Sequence, residues 1–131
     1  TEEVLATYTL PAATVAADGK GLRVVASGTT AANANTKTIR LKFGGTTYAT
    51  NAVTTAPNAS AWEAEFTILR SGAATAVAVG KAVFTATSEG IQRGTGTPTW
   101  ANANAVEVTG QNGTASAGDI TLSFVTVEIM K

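Results

Sequence analysis

The sequence predicts an all-β protein, a single β-sandwich of about eight or nine antiparallel strands. Three observations carry the prediction. Apolar residues recur at every second position in run after run, and a strand points successive side chains to opposite faces. Turn signals such as Asp18-Gly19, Gly44-Gly45, Ser71-Gly72 and Asn112-Gly113 separate the runs at short intervals. Helical periodicity is nearly absent. Ala favours helix, but here it is interleaved with Thr, Val and Gly. A length of 131 residues suits one domain, spanning residues 1–131.

The first run, Val4–Leu10, places Val4, Ala6, Tyr8 and Leu10 on one face, with Leu5 as an exception; Pro11 ends it, since proline cannot donate to a ladder. Leu22–Ser27 repeats the pattern through Leu22, Val24 and Ala26, and the Thr/Ala/Asn stretch from Gly28 to Lys37 reads as a loop. Thr38–Phe43 points Ile39, Leu41 and Phe43 inward, Gly44-Gly45 turns the chain, and Thr46–Ala49 returns as its hairpin partner. After a polar loop with Pro57, Trp62, Ala64, Phe66 and Ile68 alternate with Glu63, Glu65 and Thr67, the most amphipathic strand of the chain. Ala74–Thr87 is a long Ala/Val/Phe run with a bulge expected near Gly80. Glu89–Trp100 carries little pattern, and Ala105–Thr109 is a short strand. In the last run, Asp119–Met130, the apolar parity changes: Ile120, Leu122 and Phe124 first, then Val125, Val127 and Ile129. Either a bulge sits near Phe124, or this strand is apolar on both faces and lies against a neighbouring subunit. The one candidate helical turn is Ala12–Ala17.

Composition excludes more than it assigns. The chain has no His and no Cys, and its 9 acidic and 9 basic residues cancel. A His-dependent triad and a Cys-based zinc site are impossible. There is no basic stripe for nucleic acid, no apolar stretch long enough for a membrane helix, and no signal peptide pattern. The charged fraction of 14% is low against a typical ~25%. It reads as a neutral Thr/Asn surface or as surface covered by other protein chains, where charge is depleted. Thr1 stands where a Met would; either that Met is removed or the chain is a piece of a longer protein, such as its C-terminal domain.

Few motifs suggest chemistry. Glu63 and Glu65 share a strand face, roughly 6.5–7 Å apart at their α-carbons. A glycosidase needs two carboxylates at ~5–9 Å, yet a solvated face pairing with Arg or Lys explains them as well. Asp18-Gly19 and Gly118-Asp119 offer oxygens to a cation, but no Asp-rich loop supplies the 6–8 that calcium takes, and turn chemistry accounts for both. No metal, cofactor or enzymatic activity is expected. Trp100 and Tyr48 are the candidate ligand-facing aromatics, with packing as the competing reading for Trp100. Asn58-Ala59-Ser60 and Asn112-Gly113-Thr114 match a glycosylation pattern that arises readily by chance. Ala-Asn-Ala-Asn occurs twice, at Ala32–Asn35 and Ala101–Asn104, and reads as two loops of similar composition.

Several segments together resemble a family of phage virion proteins. They are Leu5–Ala12, Ala17–Val24, Gly28–Thr38 and Val106–Ser116, followed by a strand ending Val127-Glu128-Ile129. The group consists of uncharacterised structural and tail-fibre-like domains. The resemblance runs over most of the chain and is weakest from Ser88 to Trp100. It implies a jelly-roll-like domain, assembled as a homotrimer on the outside of a virion, in contact with other virion proteins or the host surface, and it brings no catalytic residues. Expected subunit-contact residues are Val125, Val127 and Ile129, with Val77 and Val79. The competing reading is a carbohydrate-binding module or receptor-binding tip that recognises a host glycan through Trp100 or Tyr48.

Overall fold

The computed structural model describes residues 1–53, 60–85, 87–88, 91–114 and 116–130, with the backbone alone at 87–88. Among them there is no helix. The strands are β1 (Glu2–Leu10), β2 (Gly21–Thr30), β3 (Lys37–Phe43), β4 (Thr46–Val53), β5 (Ser60–Gly72), β6 (Thr75–Phe84), β7 (Thr87–Ser88), β8 (Gln92–Gly96), β9 (Asn104–Asn112) and β10 (Ile120–Met130). They form two antiparallel sheets. One has the order β1-β9-β3-β4; the other has β10-β2-β5-β6, with β7 and β8 both pairing to β6. β2 and β5 are neighbours in the larger sheet, while the β3–β4 hairpin between them belongs to the smaller one. At the level of two facing antiparallel sheets, this is the sandwich expected from the sequence.

The core is what strict alternation dictates. Leu22, Val24 and Ala26 of β2, Trp62, Ala64, Phe66 and Ile68 of β5, and Ala76, Ala78, Ala82 and Phe84 of β6 are buried on one sheet. Ile39, Leu41 and Phe43 of β3, with Val106 and Val108 of β9, meet them from the other. Each of these positions removes apolar area from water, roughly 1.5–3 kcal/mol for a fully buried Val, Leu, Ile or Phe.

Small residues set the spacing of the sheets on the β4–β6 side. Gly80 lies inside β6 with no register shift, so the bulge expected there does not occur. Its role is close approach: a Cβ at this position would stand 3.1 Å from the carbonyl carbon of Tyr48 and 3.1 Å from the carbonyl oxygen of Glu65. Gly28 acts similarly in β2, where a Cβ would stand 2.7 Å from the Trp62 indole. That opening lets Trp62 Nε1 reach across and donate to the Thr121 carbonyl at 3.2 Å.

The breaks in the alternation are β-bulges on edge strands. Register shifts leave Leu5 unpaired in β1, Tyr48 in β4 and Ser123 in β10. A bulge adds one residue to one strand and so resets which parity faces inward. This is why Ile120 and Leu122, and then Val125, Val127 and Ile129, all pack against the same core. Of the two readings open for the last strand, the bulge is the one realised. A fourth shift, at Ser71 in β5, falls beside the turn into β6.

Three further expectations are corrected. Ala12–Ala17 forms turns and no helix: Thr14 donates its N–H and its hydroxyl to the Pro11 carbonyl, and Ala13 takes a φ of 58°. β2 runs on to Thr30 and β3 begins at Lys37, which leaves residues 31–36 as the loop. The weakly patterned segment before Trp100 contains β8, an edge strand laid along β6. Pro57 and the Asn58 glycosylation pattern lie outside the described residues.

Candidate functional site

Two places on the sandwich concentrate features that packing alone does not require. The first is the outer face of the larger sheet. Strand pairing sets Leu69 of β5 beside Val77 of β6, and Thr67 beside Val79. Val77 is 41% exposed, Val79 44% and Ile91 73%. Shallow grooves of about 190 and 220 Å³ run on either side of Val79, one reaching Ile91 and Lys81, the other Leu69 and Arg93. Phe124, 47% exposed, stands on the same outer face at its far edge strand, paired with Ser27.

Charge crosses this face beside the apolar strip. Glu65 accepts from Arg23 Nη2 at 2.7 Å and lies 3.3 Å from Lys81 Nζ, so one row reads Arg–Glu–Lys over three adjacent strands. The Arg23 hydrogen bond holds the Glu65 carboxyl below its ordinary value, with Lys81 adding to it against the effect of burial. A general acid needs the opposite shift. Glu65 is thus held as a carboxylate in an ion-paired row, with Glu63 on the same face of the sheet. On the smaller sheet Glu2 plays the same part, contacting Lys42 and Arg40 and accepting from Thr109.

The second place is the loop between β2 and β3. Lys37 is fully buried, although lysine is almost never so unless paired. Its Nζ donates to Asn33 Oδ1 at 2.7 Å, to the Asn35 carbonyl at 2.8 Å and to the Asn33 carbonyl at 3.3 Å. The Asn33 and Asn35 side-chain amides in turn donate to Asp119 at 2.8 and 3.0 Å. Asp119 is 3% exposed, and the Asn35 hydrogen bond, followed by that from Asn33, lowers its pKa. The first Ala-Asn-Ala-Asn segment is therefore a cage that closes around an ammonium and ties this loop to the start of β10. The second closes its own loop, with Asn104 Nδ2 donating to the Thr99 and Asn102 carbonyls.

The residues expected to form contacts divide. Val77 and Val79 are on the outer face, exposed. Val125, Val127 and Ile129 are not: the bulge at Ser123 turns them inward, partly buried against their own core. Trp100 and Tyr48 are not ligand-facing either. Trp100 is 2% exposed; it packs on Phe43 with ring centroids 5.4 Å apart and donates Nε1 to the Thr75 carbonyl at 2.9 Å. Tyr48 is 5% exposed because its bulge points it inward, onto Phe66 at 5.7 Å. Its hydroxyl is buried, and burial pushes the phenol above its ordinary value, with Thr46 acting in the other direction. Sequence reasoning misses Ile91 and Phe124 on this face. Ile91 lies in a segment without periodicity, and Phe124 shares the parity of Ile120 and Leu122, which only the bulge between them reverses.

Among the described residues, no group of acidic side chains is placed to hold a metal ion. No family model, curated protein or solved structure matches this chain.

Proposed function

We propose that this sandwich is a structural module of a virion surface that works by assembling with copies of itself, as a homotrimer, and by contacting neighbouring virion proteins. The observation that carries this reading is the outer face of the larger sheet, where Val77, Val79 and Ile91 stand exposed together beside an ion-paired row. Isolated apolar side chains on a surface need no explanation, but a contiguous group rimmed by polar residues marks an interaction site.

The edges argue for association through this face and against association by strand addition. An open edge strand is a template for pairing, and bulges and short strands blunt it. Here β1, β4 and β10 each carry a bulge, and β8 has five residues. Face-to-face contact remains, and closed cyclic symmetry buries the same patch on every copy.

Light scattering on the purified chain tests the reading. The expected mass is that of three chains. Val79→Glu places an unpaired charge in the contact and should give a monomer with an unchanged circular dichroism spectrum, because Val79 supports no core. A monomeric wild-type chain, or a Val79→Glu variant that keeps the trimer mass, would refute it.

A further inference from the structure

We propose that Arg93 of each copy pairs with Glu128 of the next around the three-fold axis, so that opposite margins of the larger sheet's outer face form one repeated contact between copies.

The pairing rests on the trimeric reading of that face and names the residues that meet. Five residues stand in a single row across the sheet. Glu128 of β10 is paired with Arg23 of β2, Arg23 with Thr67 of β5, Thr67 with Val79 of β6, and Val79 with Arg93 of β8. Residues directly opposite on paired strands share a face, so the whole row points outward with Val79. It runs from an anion on one edge strand to a cation on the other.

Both ends are free. Arg93 and Glu128 are exposed, and among the described residues neither side chain has a hydrogen-bond or ion-pair partner. Arg23, the neighbour of Glu128, turns away to Glu65 at 2.7 Å, and Lys81 meets Glu65 from the other side at 3.3 Å. Between the margins, Arg23 and Lys81 balance Glu63 and Glu65. Opposite charges are therefore left over at the two edges alone.

Cyclic symmetry decides which residues meet. Rotation about an axis parallel to the strands changes no position along that axis, so the two ends of one row arrive at the same level. The exposed apolar residues at the margins follow. Ile91 is 73% exposed and lies two residues before Arg93; Phe124 is 47% exposed and lies four before Glu128. Successive antiparallel pairings make β8 and β10 run in the same direction. Ile91 and Phe124 thus fall on the same side of the ion pair, about 7 Å apart in level, a gap that the two side chains span.

The width of the face suits three copies. Four interstrand steps of about 4.8 Å make the row roughly 19 Å long. A triangle of that side has its centre about 5–6 Å from each sheet, close to half the ~10 Å between packed sheets. Four copies would place the centre nearly 10 Å away and leave a channel.

Charge reversal tests the contact, with light scattering over a dilution series giving the concentration at which half the chains are assembled. Arg93→Glu opposes Glu128 with a like charge, and Glu128→Arg does the same to Arg93, in three contacts per trimer. Each single variant should raise the half-assembly concentration about tenfold. The double variant Arg93→Glu/Glu128→Arg should return to within about twofold of wild type. Circular dichroism should stay unchanged in all three, because both positions are exposed. Single variants that assemble like wild type, or a double variant no better than the singles, would overturn the pairing while a wild-type mass of three chains keeps the trimer. A wild-type mass of one chain or two would overturn the trimer itself, and the pairing with it.

Discussion

Replacing Gly80 by Ala tests how the sheets are held together. Gly80 has no positive φ, so the substitution adds a methyl group without straining the backbone. The added carbon would stand 3.1 Å from the Tyr48 carbonyl carbon and 3.1 Å from the Glu65 carbonyl oxygen, and closer still to the Tyr48 oxygen. Ordinary carbon contacts are about 3.5–4.0 Å. Both neighbours are backbone, so neither can rotate away; β4 must retreat from β6 by about 1 Å. Overpacking of this kind costs about 1–3 kcal/mol, and fixed neighbours on two sides place Gly80→Ala near the upper end, about 3 kcal/mol. For a chain of this size that lowers the thermal midpoint by about 10 °C. Gly94→Ala is the control: its added carbon would lie 3.4 Å from the Tyr48 ring, an ordinary contact, and its midpoint should move by less than about 3 °C. Paired thermal and urea melts read both variants. A Gly80→Ala protein within about 0.5 kcal/mol of wild type would refute the claim that glycine sets the β4–β6 spacing.

Other expectations follow from the same geometry. Trp62→Phe loses the hydrogen bond to Thr121 and leaves unfilled space beside Gly28, and should cost about 2 kcal/mol in a urea melt, with no change in assembly. Glu2, Glu65 and Asp119 all have pKa values lowered by folding, from ordinary values of 4.5 for Glu and 3.8 for Asp. Their stabilisation is complete above those values and is lost as the pH falls through the lower folded ones, so urea midpoints should be flat near neutrality and drop below about pH 4. Glu65→Gln should reduce that drop and cost about 0.5 kcal/mol at pH 7, the scale of a partly exposed pair. Val79→Glu should abolish assembly and so make the urea midpoint independent of protein concentration, whereas the midpoint of the wild-type trimer should rise with concentration.

The period-two pattern made most strands legible, because residues such as Ile39, Leu41 and Phe43 alternate without a break. What the pattern hides is the bulge. Leu5, Tyr48 and Ser123 each add one residue, and a single added residue transfers everything beyond it to the other face. Val125, Val127 and Ile129 therefore read as an additional apolar face in the sequence, and in the structure they lie partly buried against the core. β8 is hidden for a different reason. It lies along Tyr48, where side chains would collide, so Gly94 and Gly96 stand where a strand would normally show its apolar residues. Trp100 is buried by a loop that folds back on Phe43, and loops carry no period to read. The Lys37 cage was visible only as the repeated Ala-Asn-Ala-Asn, since nothing in a sequence says that two amides and a distant Asp119 converge on one ammonium.

The chain has no cysteine, so a single introduced thiol reports on one place alone. Val79→Cys samples the outer face of the larger sheet, and Ala52→Cys samples the exposed outer face of the smaller one. Labelling rates with a maleimide, measured across a dilution series, test most directly whether copies cover the first face. The predicted result is slow labelling of Val79→Cys at high protein concentration that quickens on dilution, while Ala52→Cys labels fast throughout. Equal, concentration-independent rates at the two positions would contradict the account.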